Sequence, residues 1–191
     1  ELGYTGLFDD HTLSGWTGVG REAVACWKVQ NGQLICTGEK GPWLRSAKEY
    51  GDFNLRLDYQ VSPNGNSGVY VRVPANGRHH RANDTLPEAG FEVQVLDDFA
   101  PKHAKLKPYQ FCGSIYDIAG ASSRVGRPAE QWNSLEINCR GQTVRTTHNG
   151  VVITDANPET HPLIALRKEK GFLGLQNHNT IVKYRNLRIG P

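Results

Sequence analysis

Methionine is absent from the 191 residues, only four cysteines are present, and charge of one sign is lacking: 22 Lys plus Arg face 19 Asp plus Glu, a net +3. The missing methionine fits a mature form or an excised domain. Four cysteines are too few for a disulfide-built scaffold. Cys26, Cys36, Cys112 and Cys139 form no CxxC pair, which removes the spacing that zinc and dithiol redox sites use. With no basic run to form a patch, nucleic acid is not expected as a partner. No apolar stretch approaches the roughly 18 to 20 residues of a spanning helix, so membrane insertion is not expected either. Glu1-Leu2-Gly3-Tyr4 lacks the charged start and apolar run of a signal peptide. Helical periodicity is missing too, apart from room for one short helix or turn between Glu159 and Lys170.

What is abundant is punctuation. Twenty-one Gly and ten Pro, evenly spread, separate short runs in which apolar residues recur at every second position. That pattern predicts an all-β fold, an antiparallel β-sandwich of nine or ten strands in one domain over residues 1–191. The clearest run is Phe53 to Val61, with Phe53, Leu55 and Leu57 on one parity and Asn54, Arg56, Asp58 and Gln60 on the other. Further strands are expected near 27–37, 67–73, 91–96, 111–117, 132–139, 142–154, 171–177 and 181–189. An Asn31-Gly32 hairpin turn pairs position 27 with 36 and 26 with 37, which puts Cys26 and Cys36 on opposite faces unless a bulge intervenes. A Cys26–Cys36 bridge, a Cys112–Cys139 bridge and four buried thiols all remain open.

Parity carries the most functional information. In Ser67 to Val73 the valines point one way, leaving Gly68, Tyr70 and Arg72 on the other side. In Phe91 to Asp97 the apolar residues 91, 93 and 95 leave Glu92 and Gln94 together. In Leu173 to His178, Leu173 and Leu175 leave Gly174, Gln176 and His178. A merely wet face favours Lys, Glu and Thr, so this set of Tyr, Arg, Gln and His reads as a shared binding surface. The polar segments Pro74 to Glu88 and Asp98 to Gln110 are expected to border it. The adjacent His79 and His80 lack a third ligand at a metal-site spacing, and no metal or other cofactor is assigned.

At these residues the chain resembles the 3-keto-disaccharide hydrolase domain family. The resemblance rests on Gly6-Leu7-Phe8-Asp9, Leu13-Ser14-Gly15-Trp16, Trp27-Lys28-Val29, Asn66-Ser67-Gly68-Val69-Tyr70-Val71-Arg72 and Gly90-Phe91-Glu92-Val93-Gln94-Val95-Leu96-Asp97. It continues through Gly113-Ser114-Ile115-Tyr116, Trp132-Asn133, Gly174-Leu175-Gln176 and Tyr184-Arg185-Asn186-Leu187-Arg188-Ile189. It implies a concanavalin A-like jelly roll, a secreted or periplasmic bacterial setting, and cleavage of 3-keto-glycosides made by a separate sugar 3-dehydrogenase. Two positions depart from the family's pattern: His148 stands where Leu is common, and Asp117 where a small residue is common.

A ketone at C3 acidifies the C2 proton, so a base on the polar face can start an elimination that expels the C1 substituent. Glu92 and His178 are the candidate bases. Asp97 is a third catalytic candidate if a bulge turns it toward them. Tyr70, Arg72, Gln94, Tyr116 and Gln176 are the candidate substrate-binding residues, with Arg72 as a fixed cation and the tyrosines as stacking or proton-donating groups. The bland reading of Glu92 with Arg72 is a cross-strand ion pair. A Glu92–Asp97 carboxylate pair would make an ordinary glycosidase, and a face without reactive groups would make a carbohydrate-binding module. For such a module, Trp43 is the tryptophan free to act as a platform.

Overall fold

The computed structural model describes residues 2–81 and 89–191. Among them thirteen strands follow in chain order: β1 (Thr5–Gly6), β2 (Trp16–Gly18), β3 (Trp27–Gln30), β4 (Gln33–Thr37), β5 (Leu44–Tyr50), β6 (Phe53–Val61), β7 (Asn66–Val73), β8 (Phe91–Leu96), β9 (Asn133–Arg140), β10 (Thr143–His148), β11 (Val151–Ala156), β12 (Gly171–Leu175) and β13 (Ile181–Gly190). They form two antiparallel sheets. The larger runs β11-β10-β9-β6-β13-β4-β3 with β1 added on β13, and the smaller runs β2-β5-β12-β7-β8. The fold is thus an all-β sandwich of the jelly-roll type. No helix among the described residues is long and apolar enough to cross a membrane.

Alternation explains the layers. Phe53, Leu55 and Leu57 of β6 meet Val69, Val71, Phe91, Val93, Val95, Leu173 and Leu175 of the smaller sheet in one cluster, all buried. Each such side chain contributes about 1.5–3 kcal/mol on leaving water. The hairpin between β3 and β4 turns on two residues with positive φ, Asn31 at 53° and Gly32 at 69°, the pair that a two-residue turn of this hand requires. Trp27 pairs with Cys36 as the turn dictates. Cys26 lies one residue outside β3 and points its thiol at the Pro42 carbonyl, 3.3 Å away, while the Cys36 thiol points at Asn177 Oδ1, also 3.3 Å away. All four cysteines are free and buried.

Three local readings need correction. Residues 111–117 form no strand, because their backbone instead seals the open edge of β8: Gln94 N–H donates to Ser114, Gly113 N–H to Gln94, and Tyr116 N–H to Glu92, at 2.8–2.9 Å. A sealed edge cannot pair with another chain. The strands β2 and β5 give no apolar alternation, since Leu44-Arg45-Ser46-Ala47-Lys48-Glu49-Tyr50 is half exposed and polar. The short helix or turn expected between Glu159 and Lys170 is present, as the 3-10 turn Pro162–Leu166.

The third correction concerns Arg72. Phe172 pairs with Val73 and Gly174 with Tyr70, so two residues, Val71 and Arg72, stand opposite the single Leu173. This bulge puts Arg72 at φ 53° and breaks the parity of β7. Its backbone is pressed between Gly90 and Gly171, where an added Cβ would lie 2.4 Å from Arg72 main-chain atoms. The guanidinium turns away from the polar face and donates to the carbonyls of Gly51 and Gly141 and to the Asp52 carboxylate, the last at 3.2 Å.

Candidate functional site

Strands β12, β7 and β8 are neighbours, and their register lines up the polar parity of all three. Gly174, Tyr70 and Glu92 form one row across the sheet. Beside it Gly68 pairs with Gln94, and Gln176 N–H donates to the Gly68 carbonyl at 2.9 Å, which makes a second row. The glycines are there for space. A Cβ on Gly68 would sit 2.5 Å from Glu92 Oε1, so its absence lets the carboxylate fold down over the strand. A Cβ on Gly174 would sit 2.3 Å from the Trp43 ring, which lies against the sheet and meets Tyr70 edge-on at 5.2 Å. Trp43 is therefore half-buried packing beneath the site's flank.

Over these rows a cleft of about 290 Å³ is lined by Glu92, Gln94 and Gln176 from the sheet, by Lys102, His103, Leu106 and Gln110 from the segment after β8, and by Arg81, Tyr116, His178, Asn66 and Leu96. The Asp98–Gln110 segment thus borders the cleft. The Pro74–Glu88 segment contributes Arg81, and its residues 82–88 lie outside the described residues.

Glu92 is 2% exposed and its charge is matched locally. Oε2 lies 3.0 Å from Arg81 Nη1 and 3.2 Å from His79 Nε2. The His79 contact is close enough for charge pairing but is not aligned as a hydrogen bond. His79 stacks on Tyr70 with ring centres 4.4 Å apart, and its Nδ1–H donates to the Gly77 carbonyl at 2.8 Å. The ion pair of Glu92 with Arg72 does not form; the cation on Glu92 is Arg81, with the His79 ring beside it. Arg81 also lies over the Tyr116 ring, 4.6 Å from its centre.

The amides are arranged around these charges. Gln176 donates to Tyr70 Oη at 3.0 Å, and its Oε1 is buried without a partner among the described residues. Whichever way the amide is turned, one end meets Tyr70 and the other has no partner among the described residues. Gln94 donates to the Gln110 carbonyl at 3.0 Å, and Gln110 donates to Tyr116 Oη at 2.9 Å. Burial, with the Glu92 charge adding to it, pushes the Tyr70 phenol well above its ordinary range, so it remains a neutral hydroxyl.

Of the sequence-derived residues, Tyr70, Glu92, Gln94, Tyr116, Gln176 and His178 share this face, with His178 exposed at the cleft mouth. Asp97 does not join them. Its carboxylate accepts from Asn64 N–H at 2.9 Å and Phe99 N–H at 3.2 Å, as a turn cap at the end of β8. No bulge re-aims it, so the opposite parity to Glu92 holds. Parity reasoning missed His79, Arg81, Lys102, His103 and Gln110, which sit on irregular segments; the only hint was the clustering of Arg78-His79-His80-Arg81. His80 is buried against Arg167. Among the described residues no three His, Cys, Asp or Glu side chains converge as metal ligands. A larger cavity of about 470 Å³, lined by residues such as Thr5, Trp16 and Tyr50, contains none of these groups.

Comparison with known proteins adds a family to this geometry. Residues 3–190 match the family described as the 3-keto-alpha-glucoside-1,2-lyase-like domain. A 3-keto-disaccharide hydrolase of Bacteroides thetaiotaomicron is 25% identical, with 98% of this chain and 78% of that protein aligned. A solved structure from Parabacteroides distasonis, described as a candidate glycosyl hydrolase, superposes with a TM-score of 0.79 at 27% identity, covering 97% of this chain and 98% of that one. The Bacillus licheniformis β-glucanase shares the fold at 12% identity and a TM-score of 0.53, covering 98% and 97%.

Proposed function

The chain belongs to the 3-keto-alpha-glucoside-1,2-lyase-like domain family, and from that premise we propose that its cleft cleaves 3-keto-glycosides by elimination followed by hydration. The supporting observation is the composition of the cleft: Glu92 is the one carboxylate among its described lining residues, and it stands with two imidazoles, four amides, two cations and a tyrosine. An ordinary glycosidase works with two carboxylates flanking the bond. With Asp97 engaged as a turn cap, that pair is missing among the described residues.

The keto route asks for something else. Removal of the C2 proton by a cleft base places negative charge on the C3 oxygen, which cations and N–H donors stabilise. Arg81, Lys102 and the amides are such groups. Reclosure of the C3 carbonyl forms C1=C2 and expels the aglycone oxygen with its bonding pair; water then adds across the double bond, so the net reaction is hydrolysis. Gln176 supplies a buried acceptor for a sugar hydroxyl, and Tyr116 supplies a ring face and a hydroxyl at the cleft wall. In this reading Glu92 and His178 serve the reaction from the cleft floor and mouth. The domain then acts after a sugar 3-dehydrogenase, which must make the ketone first, in the secreted or periplasmic setting that the resemblance implies.

The test is incubation with a 3-keto-glucoside and with its unoxidised parent. Release of aglycone from the keto sugar alone supports the reading. Release from both marks an ordinary glycosidase, and binding without release from either marks a carbohydrate-binding module; both of those outcomes overturn it.

A further inference from the structure

We propose that His103 is the catalytic base of this cleft, taking the C2 proton on Nε2, and that the Asp97 main chain is its positioning group. The inference rests on the keto-sugar reading above. Nδ1 of His103 lies 2.7 Å from the Asp97 carbonyl oxygen. A carbonyl only accepts, so Nδ1 carries the hydrogen, and the neutral ring keeps its lone pair on Nε2. The ring is 6% exposed, yet it lines the cleft. Its place in the cleft lining leaves the ring reachable from the cleft.

The carbonyl that holds it is itself held. Asp97 N–H donates to Gly65 at 3.0 Å, and the Asp97 side chain accepts from Asn64 and Phe99. Pro101 opens the 3-10 turn that ends at His103, and His103 N–H donates to the Ala100 carbonyl at 2.8 Å. Such a tether fixes tautomer and direction before substrate arrives, as a base requires. Asp97, a catalytic candidate from sequence only if a bulge re-aimed its side chain, thereby contributes through its backbone.

The other titratable groups are less suited. Glu92 Oε2 is engaged by Arg81 and His79. His79 has Nδ1–H on Gly77 and its other nitrogen turned to Glu92. His178 is exposed beyond the end of β12. In the step itself the C2–H bond breaks, Nε2 gains the proton, and the bonding pair forms C2=C3 as the carbonyl pair moves onto oxygen. When C3=O reforms, C1=C2 forms and the C1–O bond breaks with its pair on the aglycone oxygen. That oxygen takes the proton from the imidazolium, Nε2 is free again, and no oxidant or reductant is needed.

Two variants test this on the whole chain, using a nitrophenyl 3-keto-glucoside. His103→Asn keeps an N–H where Nδ1–H stands, so the bond to Asp97 and the fold survive while Nε2 is lost. His103→Ala leaves room for added imidazole. Both should lose on the order of 100- to 10,000-fold in kcat, with KM within about threefold. Added imidazole should restore at least about tenfold to His103→Ala and far less to His103→Asn, whose amide still fills part of the space the ring occupied. A folded His103→Asn with kcat within about tenfold of wild type overturns the proposal, and so does a His103→Ala loss that imidazole leaves unchanged. Wild type inactive on the keto substrate is a different result, because it removes the keto-sugar reading itself.

Discussion

Acidification should weaken this fold through one residue, His148, and by a calculable amount. The ring is fully buried at the end of β10, stacked on Tyr59 with centres 5.8 Å apart, and its Nε2 lies 2.8 Å from Tyr59 Oη, which in turn lies 3.0 Å from the Cys112 thiol. The arrangement that strands least puts the proton on Nε2, donating to Tyr59, and leaves Nδ1 as a bare lone pair without a partner among the described residues. Burial pulls the imidazole down from its ordinary 6.5 to about 4. The unfolded chain therefore takes up a proton before the folded one does. The stability tied to neutral His148 is complete above about pH 6.5, is lost as pH falls, and levels off below about pH 4. At about pH 5 the loss is roughly 2 kcal/mol. For a chain of this length that is a fall of about 4–8 °C in Tm. His148→Leu removes the titration at a cost of about 1 kcal/mol for the lost Tyr59 bond. Thermal melts of both proteins between about pH 7.5 and about pH 5 should show wild type more stable at the upper end and the variant at the lower. Parallel pH dependences would refute the reasoning.

The other consequences are local. Gly68→Ala must displace the Glu92 carboxylate, the mobile end of a side chain, so stability should change by less than about 1 kcal/mol while turnover on a 3-keto-glucoside falls at least about tenfold; equal losses in Tm and activity would contradict this. Arg72→Ala leaves the Gly51 and Gly141 carbonyls unpaired at a 2% exposed site and should cost about 3 kcal/mol in urea melts, with KM of the folded fraction unchanged. The thiols should be inert in the native state, since burial raises Cys26, lifts Cys36 to about 11 and Cys112 and Cys139 to about 12; a disulfide-exchange reagent should titrate none of them before urea is added and all four afterwards.

Period-two alternation made the core and half of the cleft legible, because each strand states its own two faces. Tyr70, Glu92, Gln94 and Gln176 come together on the strength of that rule once β12, β7 and β8 are adjacent, an adjacency that depends on long-range pairing and leaves no local trace. Arg72 escaped because a non-glycine residue at positive φ is set by its neighbours, here Gly90 and Gly171, and not by its own identity. The β5 strand escaped because its outward positions are charged and its inward ones are few. His79, Arg81 and His103 lie on segments without a period, where position is decided by bonds from side chains to main-chain carbonyls such as those of Gly77 and Asp97.

The central claim, that the cleft breaks the glycosidic bond through an enolate, is tested most directly in heavy water. Wild type is given a 3-keto-glucoside in D₂O, the reaction is stopped after partial turnover, and the released keto sugar is examined by mass spectrometry and NMR against an enzyme-free control. Elimination and rehydration must deliver one solvent deuteron to C2 of each product molecule. Release of aglycone with C2 still carrying its original hydrogen would contradict the account.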